Sequence, residues 1–130
     1  MSRERARQWI IKAMEDMRVM EHEFSFSEED VVTSAVCFHA QQAVEKFLKA
    51  FLVLKGVEFG KTHNLELLLE LCKRLDPEFE RIEIGNLTQY AIEVRYPDEF
   101  YIPTLEEAKE AYEIARKIKD FILEKTGIRI

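Results

Sequence analysis

The residue types best suited to chemistry stand close together in segment 95–101, Arg-Tyr-Pro-Asp-Glu-Phe-Tyr. The planar guanidinium group of an arginine matches a phosphate or a carboxylate, and aromatic rings beside it can stack on a base. The candidate ligand contacts in this segment are therefore Arg95, Tyr96, Asp98 and Tyr101. The alternative is structural, with Arg95 pairing with a carboxylate of its own loop and fixing that loop against the protein. The residues by themselves leave both interpretations open.

A second polar group lies on one face of a long amphipathic helix that contains Gln42, Glu45, Lys46 and Lys49. Glu45 and Lys49 are four residues apart, in the orientation that stabilises an exposed helix by about 0.3–0.5 kcal/mol. We predict Lys46 and Lys49 as further ligand contacts. Since Lys46 lies off the apolar stripe, its truncation is expected to cost under about 0.5 kcal/mol.

Phe38 lies in the middle of this polar face, where a solvated helix gains no stability from an aromatic side chain. An exposed apolar side chain suggests a second surface that covers it. We therefore predict a homodimer whose contact includes Phe38, Gln42 and Glu45. A ligand groove on the same face, or a solvated face that binds nothing, are the alternatives.

The remaining reactive residue types point to structural roles. His39 lies at the border of the apolar stripe of this helix and His63 just before the third helix, positions where a histidine usually forms a hydrogen bond or caps a helix, and their spacing does not match a metal site. Cys37 and Cys72 fall among apolar residues and are expected to be buried free thiols. Neither a Gly-rich phosphate loop nor a Ser/His/Asp arrangement occurs in the sequence, and we expect no cofactor.

The composition describes one compact domain. The chain has 130 residues, a net charge of −6 and 47% apolar residues. The negative charge argues against a general nucleic-acid coat, although it does not exclude a small local basic pocket. No segment resembles a signal peptide or is apolar enough to span a bilayer, so the expected location is the cytoplasm.

Apolar residues recur at spacings of three and four, which predicts five helical segments and no strands. The first helix is expected over residues 3–22. Ser27 and Asp30 resemble a capping box for the second helix, which continues to Lys55 and stops at Gly56. Phe47 lies at the centre of its apolar stripe and is expected in the core.

The second half of the chain continues the helical pattern. A short helix over residues 65–75 is followed by a less regular segment that starts at Pro77. Thr104 and Glu107 form a capping box for the last helix, and Gly127 ends it. The sequence therefore predicts a single all-α domain over residues 1–130, an up-and-down antiparallel bundle of four long helices plus one short helix.

Three pieces of sequence, taken in order, resemble the HEPN domain family. The first is His39-x-Gln-Gln-x-x-Glu-Lys-x-x-Lys-Ala50, followed by Lys55-Gly56. The second is His63-x-Leu65 after a short loop, and the third is Arg-Tyr-Pro-Asp at 95–98. The resemblance covers nearly the whole chain. It implies a mostly antiparallel helical bundle that commonly forms a homodimer.

The resemblance also implies functions. Many small HEPN proteins are partners of a minimal nucleotidyltransferase encoded beside them, often as a toxin–antitoxin-like pair. Members with ribonuclease activity carry an Arg-x4–6-His motif near the start of the last long helix, and the arginine and histidine of two subunits meet across a cleft.

This sequence departs from the ribonuclease motif. Arg95 lies where the arginine of the motif is expected, but Phe100, Tyr101 and Ile102 follow, and no histidine occurs after His63. Tyrosine, with an ordinary pKa near 10, is a poor general base at neutral pH. We therefore expect a non-catalytic module that binds a nucleotide or RNA end, a nucleotidyltransferase partner, or both. The alternatives are a metal-independent ribonuclease using Arg95 and Tyr101, and a purely structural homodimer.

Overall fold

A computed structural model describes residues 2–89 and 101–130, and the regular secondary structure in these ranges is entirely helical. Within the described ranges, two short 3-10 turns accompany four α-helices whose bounds are complete. The α-helices are α1 (Ser2–Phe24), α2 (Thr33–Leu54), α3 (Leu65–Leu75) and α4 (Leu105–Thr126), and the 3-10 turns are Glu28–Asp30 and Pro77–Arg81. Residues 87–89 are helical as well. The predicted all-α bundle is confirmed.

Helix α2 lies at the centre of the bundle and contacts α1, α3 and α4. Fourteen of its 22 residues are buried, including the predicted stripe from Val36 to Phe51, whereas Leu54 at the end of that stripe is half-buried. The stripes of α1 and α4 face it, and most of their predicted members are buried too. The buried members are Ala6, Ile10, Ala13, Met17 and Met20 in α1 and Ala108, Ala111, Ala115, Ile118 and Ile122 in α4. The other predicted members, Trp9, Met14, Leu105 and Tyr112, are half-buried. Burial of these stripes supplies the main stabilisation of the fold.

Helix α1 runs antiparallel to both α2 and α4. Near its C-terminal end, the Glu23 carboxylate accepts a hydrogen bond from the backbone N–H of Val32, just before α2 begins. Near its N-terminal end, the Arg3 guanidinium donates to the backbone carbonyls of Thr126 and Gly127 at the end of α4. Both long-range contacts join opposite ends of neighbouring helices.

The predicted helix ends are confirmed at α4. The Thr104 side chain accepts from the backbone N–H of Glu107, and the Glu107 carboxylate accepts from the backbone N–H of Thr104, which completes the capping box. Gly127 then ends the helix with φ 66°, a backbone conformation that glycine adopts without strain.

The predicted cap of α2 is wrong. The Ser27 hydroxyl does donate to the Asp30 carboxylate at 2.8 Å, but Ser27 is the N-cap and Asp30 the last residue of the separate turn Glu28–Asp30. Helix α2 begins after Val32, which caps it without a side-chain hydrogen bond. The Glu23 carboxylate from α1 satisfies the Val32 N–H instead, so a tertiary contact replaces the local cap.

No helix within the described ranges is both long and apolar enough to cross a membrane.

Candidate functional site

Asp16 of α1 is the centre of a first cluster of charged side chains. It is buried, although a carboxylate is rarely buried without partners. Its two oxygens are engaged by α2: His39 Nδ1 lies 2.7 Å from Oδ1, and Lys46 Nζ donates to Oδ2 at 2.7 Å. We call Asp16, His39 and Lys46 the Asp16 cluster. It ties the middle of α1 to the middle of α2.

Glu45 of α2 is the centre of a second cluster. Lys49 Nζ donates to its carboxylate at 3.1 Å, and His63 Nδ1, from the loop before α3, lies 3.0 and 3.1 Å from its two oxygens. The Lys49 ammonium also lies 5.3 Å from the ring centroid of Trp9 and 5.4 Å from that of Phe59. We call Glu45, Lys49 and His63 the Glu45 cluster. It joins α2 to the loop over residues 57–63.

The prediction of an exposed polar face on α2 is wrong. Gln41, Glu45 and Lys49 are only 4%, 3% and 4% exposed. Helix α1 and the loop over residues 57–63 cover this face and supply its partners. Lys49 is consequently paired inside the chain rather than displayed to a ligand, and Glu45 lies too deep for the surface contact between subunits that the sequence suggested.

The other predicted residues of this face are half-buried. Phe38 packs edge-on against the His39 ring, with 5.3 Å between centroids. The Gln42 amide donates to Gln41 Oε1 at 2.8 Å. Phe38 and Gln42 therefore keep part of their surface exposed, and their role in a subunit contact stays a prediction. Lys46 is also half-buried, and its ammonium is engaged by Asp16.

The hydrogen-bonding role predicted for His39 and His63 is confirmed. Because a carboxylate only accepts, each Nδ1 that contacts one must carry a proton. Each contact fixes the orientation of its imidazole ring, and Nε2 is the ring nitrogen that the carboxylate does not contact. The His63 side chain is 67% exposed, so its ring lies at the surface while its partner Glu45 is buried. A carboxylate–histidine pair of this kind can hold or move a proton.

The two cysteines are buried free thiols, as predicted. Burial raises the pKa of the Cys37 thiol to about 12, and the nearby charge of Glu107 adds to the rise. Burial alone raises the pKa of Cys72 to about 12. Neither thiol is activated as a nucleophile. Across residues 2–89 and 101–130, no group of three or more His, Cys, Asp or Glu side chains is arranged to hold a metal ion.

The family model of the HEPN domain matches residues 6–126. This chain belongs to the HEPN domain family. No curated protein and no solved structure matches it significantly. The match covers α1 to α4, so the elements that carry both charge clusters all belong to the HEPN domain.

Three of the predicted ligand contacts, Arg95, Tyr96 and Asp98, lie outside the residues that the structure of this HEPN domain describes. Tyr101 is described and exposed, just before the capping box of α4. Its hydroxyl donates to the Glu107 carboxylate that also closes the capping box. The cap of α4 therefore holds the Tyr101 hydroxyl at the start of the last helix.

Asp16 is the functional candidate that sequence reasoning missed. It lies three residues after Ala13 and four before Met20, both of which are buried on the core-facing stripe of α1. A carboxylate on an apolar stripe needs a buried partner, because its desolvation is otherwise too costly. That position was the available signal, and the lysines and the histidine of α2 were the available partners.

Proposed function

We propose that this HEPN domain is a non-catalytic module that binds a nucleotide or an RNA end, with Arg95 as the anion contact. Membership in the family, shown by the match over residues 6–126, is the observation that carries the proposal. Family membership supports a role that involves nucleotides or RNA. Arg95, Tyr96, Asp98 and Tyr101 supply the residue types that such a ligand needs, namely a guanidinium fork and aromatic rings.

The non-catalytic part rests on the departure from the ribonuclease motif. Phe100, Tyr101 and Ile102 occupy the positions where the histidine of that motif is expected after Arg95. Tyr101 does not replace it well, because its hydroxyl donates its proton to Glu107 in the capping box of α4. A hydroxyl held as a donor is poorly placed to accept a proton from a ribose.

The test combines isothermal titration with a cleavage gel. ATP and a short single-stranded RNA are titrated into the protein and into Arg95→Ala, and the same RNA is incubated with protein without added metal. We expect binding that weakens in Arg95→Ala and as salt rises, because a phosphate contact exchanges with counterions. Arg74→Ala is the matched control, since Arg74 is an exposed arginine of α3 whose described ion pair is with Glu70.

Two results would contradict the proposal. RNA cleavage that disappears in both Arg95→Ala and Tyr101→Phe would establish the metal-independent ribonuclease instead. Absence of binding to either ligand at millimolar concentration would favour the purely structural homodimer.

The second part of the proposal is a homodimer with α2 near the contact. Phe38 supports it, because a half-exposed aromatic ring on a polar face is covered by a second surface in a dimer. Light scattering is expected to give twice the chain mass, and Phe38→Glu is expected to shift the protein towards monomer. Phe26→Glu is the control, because Phe26 is more exposed but lies outside α2. Dissociation by Phe26→Glu alone would place the contact elsewhere.

A minimal nucleotidyltransferase is the protein partner that we propose, on the strength of the family. The test is co-expression with a nucleotidyltransferase encoded in the neighbouring reading frame, followed by size-exclusion chromatography. Co-elution at a fixed stoichiometry supports this partner. Separate elution of two well-folded proteins argues against it.

A further inference from the structure

Basic residues concentrate at one end of this acidic chain. The chain has 25 acidic and 19 basic residues, yet the first half of α1 carries Arg3, Arg5, Arg7 and Lys12, and Arg129 follows α4. Arg3 has a structural role, since it donates to the carbonyls at the end of α4. Across residues 2–89 and 101–130, Arg5, Arg7 and Arg129 form no ion pair. Their charges are therefore available at the surface.

Two adjoining cavities share Arg5. One, of about 300 Å³, is lined by one face of α1, and the other, of about 350 Å³, lies between the start of α1 and the loop after α2. We call the two together the Arg5 groove. Its lining residues are Ser2, Arg5, Gln8, Trp9 and Lys12 of α1, Val53 of α2, and residues 56–60.

The loop after α2 forms one wall of the groove, and contacts with α1 and α2 hold this loop in place. Phe59 packs edge-on against Trp9, with 6.3 Å between ring centroids, and the Lys49 ammonium lies within 5.4 Å of both centroids. The Val57 N–H donates to the Leu52 carbonyl at 2.9 Å. The Glu45 cluster thus fixes the loop against α1, and a groove fixed before binding loses less entropy when a ligand enters.

The chemistry of the groove selects its ligand. Arg5 and Lys12 provide two positive charges, and Glu58 is the one acidic residue among the described lining residues. Lys12 also pairs with Glu15 at 3.3 Å, but both side chains are exposed to solvent. Trp9 and Phe59 place aromatic rings beside those charges. An acidic peptide could pair with the positive charges but has no bases to stack on the aromatic rings. A duplex keeps its bases stacked inside the double helix, where the rings do not reach them. Phosphates joined to accessible bases, as in a single strand, use both features.

We propose that the Arg5 groove binds single-stranded RNA, with Arg5 and Lys12 on the phosphates and Trp9 and Phe59 beside the bases. The choice of RNA rests on the proposed function, whereas the location does not involve Arg95. A further cavity of about 430 Å³, lined by Arg3, Glu4, Arg7, Ile128 and Arg129, continues the basic surface beyond the groove.

Fluorescence anisotropy of a labelled single-stranded oligoribonucleotide tests the proposal. Neutralising Arg5 and Lys12 in the variant Arg5→Ala/Lys12→Ala is expected to weaken binding on the order of tenfold at low salt. The slope of log K against log salt should fall by about 1.4, since each phosphate contact on a single strand contributes about 0.7. Trp9 is the single tryptophan of the chain, so its fluorescence is expected to change when RNA binds.

Arg18→Ala is the matched control. Arg18 is an exposed arginine of the same helix that forms no ion pair within the described ranges and lies outside the groove. Its removal changes the net charge as one groove substitution does, so unchanged affinity separates a local site from a general charge effect. Arg5 and Lys12 are exposed, and circular dichroism and urea unfolding of the variants are expected to match those of the parent protein.

The possible outcomes separate this inference from the proposed function. If RNA binding survives Arg5→Ala/Lys12→Ala but is lost in Arg95→Ala, the groove is not the site and the proposed function stands. If the reverse holds, the groove is the site and Arg95 is not the anion contact. Equal weakening by Arg18→Ala, equal affinity for a duplex, or equal competition by polyglutamate would each overturn the Arg5 groove as a site for single strands.

Discussion

The two sides of α2 both contain deeply buried residues, but these residues are buried by different means. Phe47 represents the apolar side and is fully buried among the core residues of the bundle. Lys49 and Glu45 represent the polar side and are nearly as deeply buried, with each other, His63 and two aromatic rings as partners. Burial therefore does not distinguish Phe47 from Glu45 and Lys49. What distinguishes them is whether the buried atoms require specific partners.

This difference predicts how each side responds to substitution. An apolar side chain contributes through the area that it removes from water and through its close packing. A buried charge contributes little net stability when paired, but its loss leaves the partner charge buried and uncompensated. The polar side should thus be sensitive to single substitutions and tolerant of matched double substitutions, while the apolar side has no such rescue.

The largest effect is expected at the apolar side. Phe47→Ala should lower the free energy of unfolding by about 3–5 kcal/mol, because it removes a fully buried ring and leaves a cavity. Urea denaturation monitored by circular dichroism measures this change. A loss below about 1 kcal/mol would show that the centre of α2 is not packed as described.

On the polar side, Lys49→Met should cost about 3 kcal/mol, because among the described residues Glu45 then keeps only the surface residue His63 as an ion-pair partner. The double variant Glu45→Met/Lys49→Met should recover most of that loss, since both buried charges are gone. If urea denaturation shows that the double variant regains stability, the polar side tolerates a matched substitution, unlike Phe47. A double variant less stable than Lys49→Met would contradict it.

A smaller effect is expected in the Asp16 cluster. Lys46→Ala should cost about 1–3 kcal/mol, because it takes one of two partners from a buried carboxylate while His39 remains. This exceeds the limit of about 0.5 kcal/mol that the sequence suggested. Lys117→Ala is the control, at under about 0.5 kcal/mol, because Lys117 is exposed and forms no ion pair within the described ranges. If both variants lowered the free energy of unfolding by the same amount, the Asp16 cluster would have no stabilising role of its own.

The smallest effect is expected at the exposed member of the Glu45 cluster. His63→Ala should cost about 0.2–1 kcal/mol, since two-thirds of its side chain is solvated and Glu45 keeps Lys49. Hydrogen exchange should speed up in residues 57–63 and stay unchanged in α3. Faster exchange throughout the bundle would mean that His63 stabilises the whole fold rather than the loop.

Local patterns predicted the helices well. The apolar stripes of α1, α2 and α4 and the capping box at Thr104 are confirmed, because each depends on residues within one or two turns of one another. The same logic failed at Ser27 and Asp30. Their spacing suits a single turn as well as the start of a helix, and the long-range bond from Val32 to Glu23 settled where α2 begins.

Local sequence patterns predicted the candidate sites only in part. The residues of the polar face of α2 were identified, but their exposure was misjudged. Helical periodicity tells which side chains share a face, not what packs against that face. Trp9 and Phe59, which meet beside Lys49, come from α1 and from a loop fifty residues later. The Arg5 groove depends on that same meeting.

The sequence by itself determined the helical fold class, the core face of each helix and membership in the HEPN domain family. These follow from periodicity, local capping and motif order. Only the tertiary structure decided that Asp16 meets His39 and Lys46, and that His63 meets Glu45. These partners are 18 to 30 residues apart in the chain. The physical reason is that a buried charge is tolerated only where another element brings its counter-charge, and the packing of the helices sets that position.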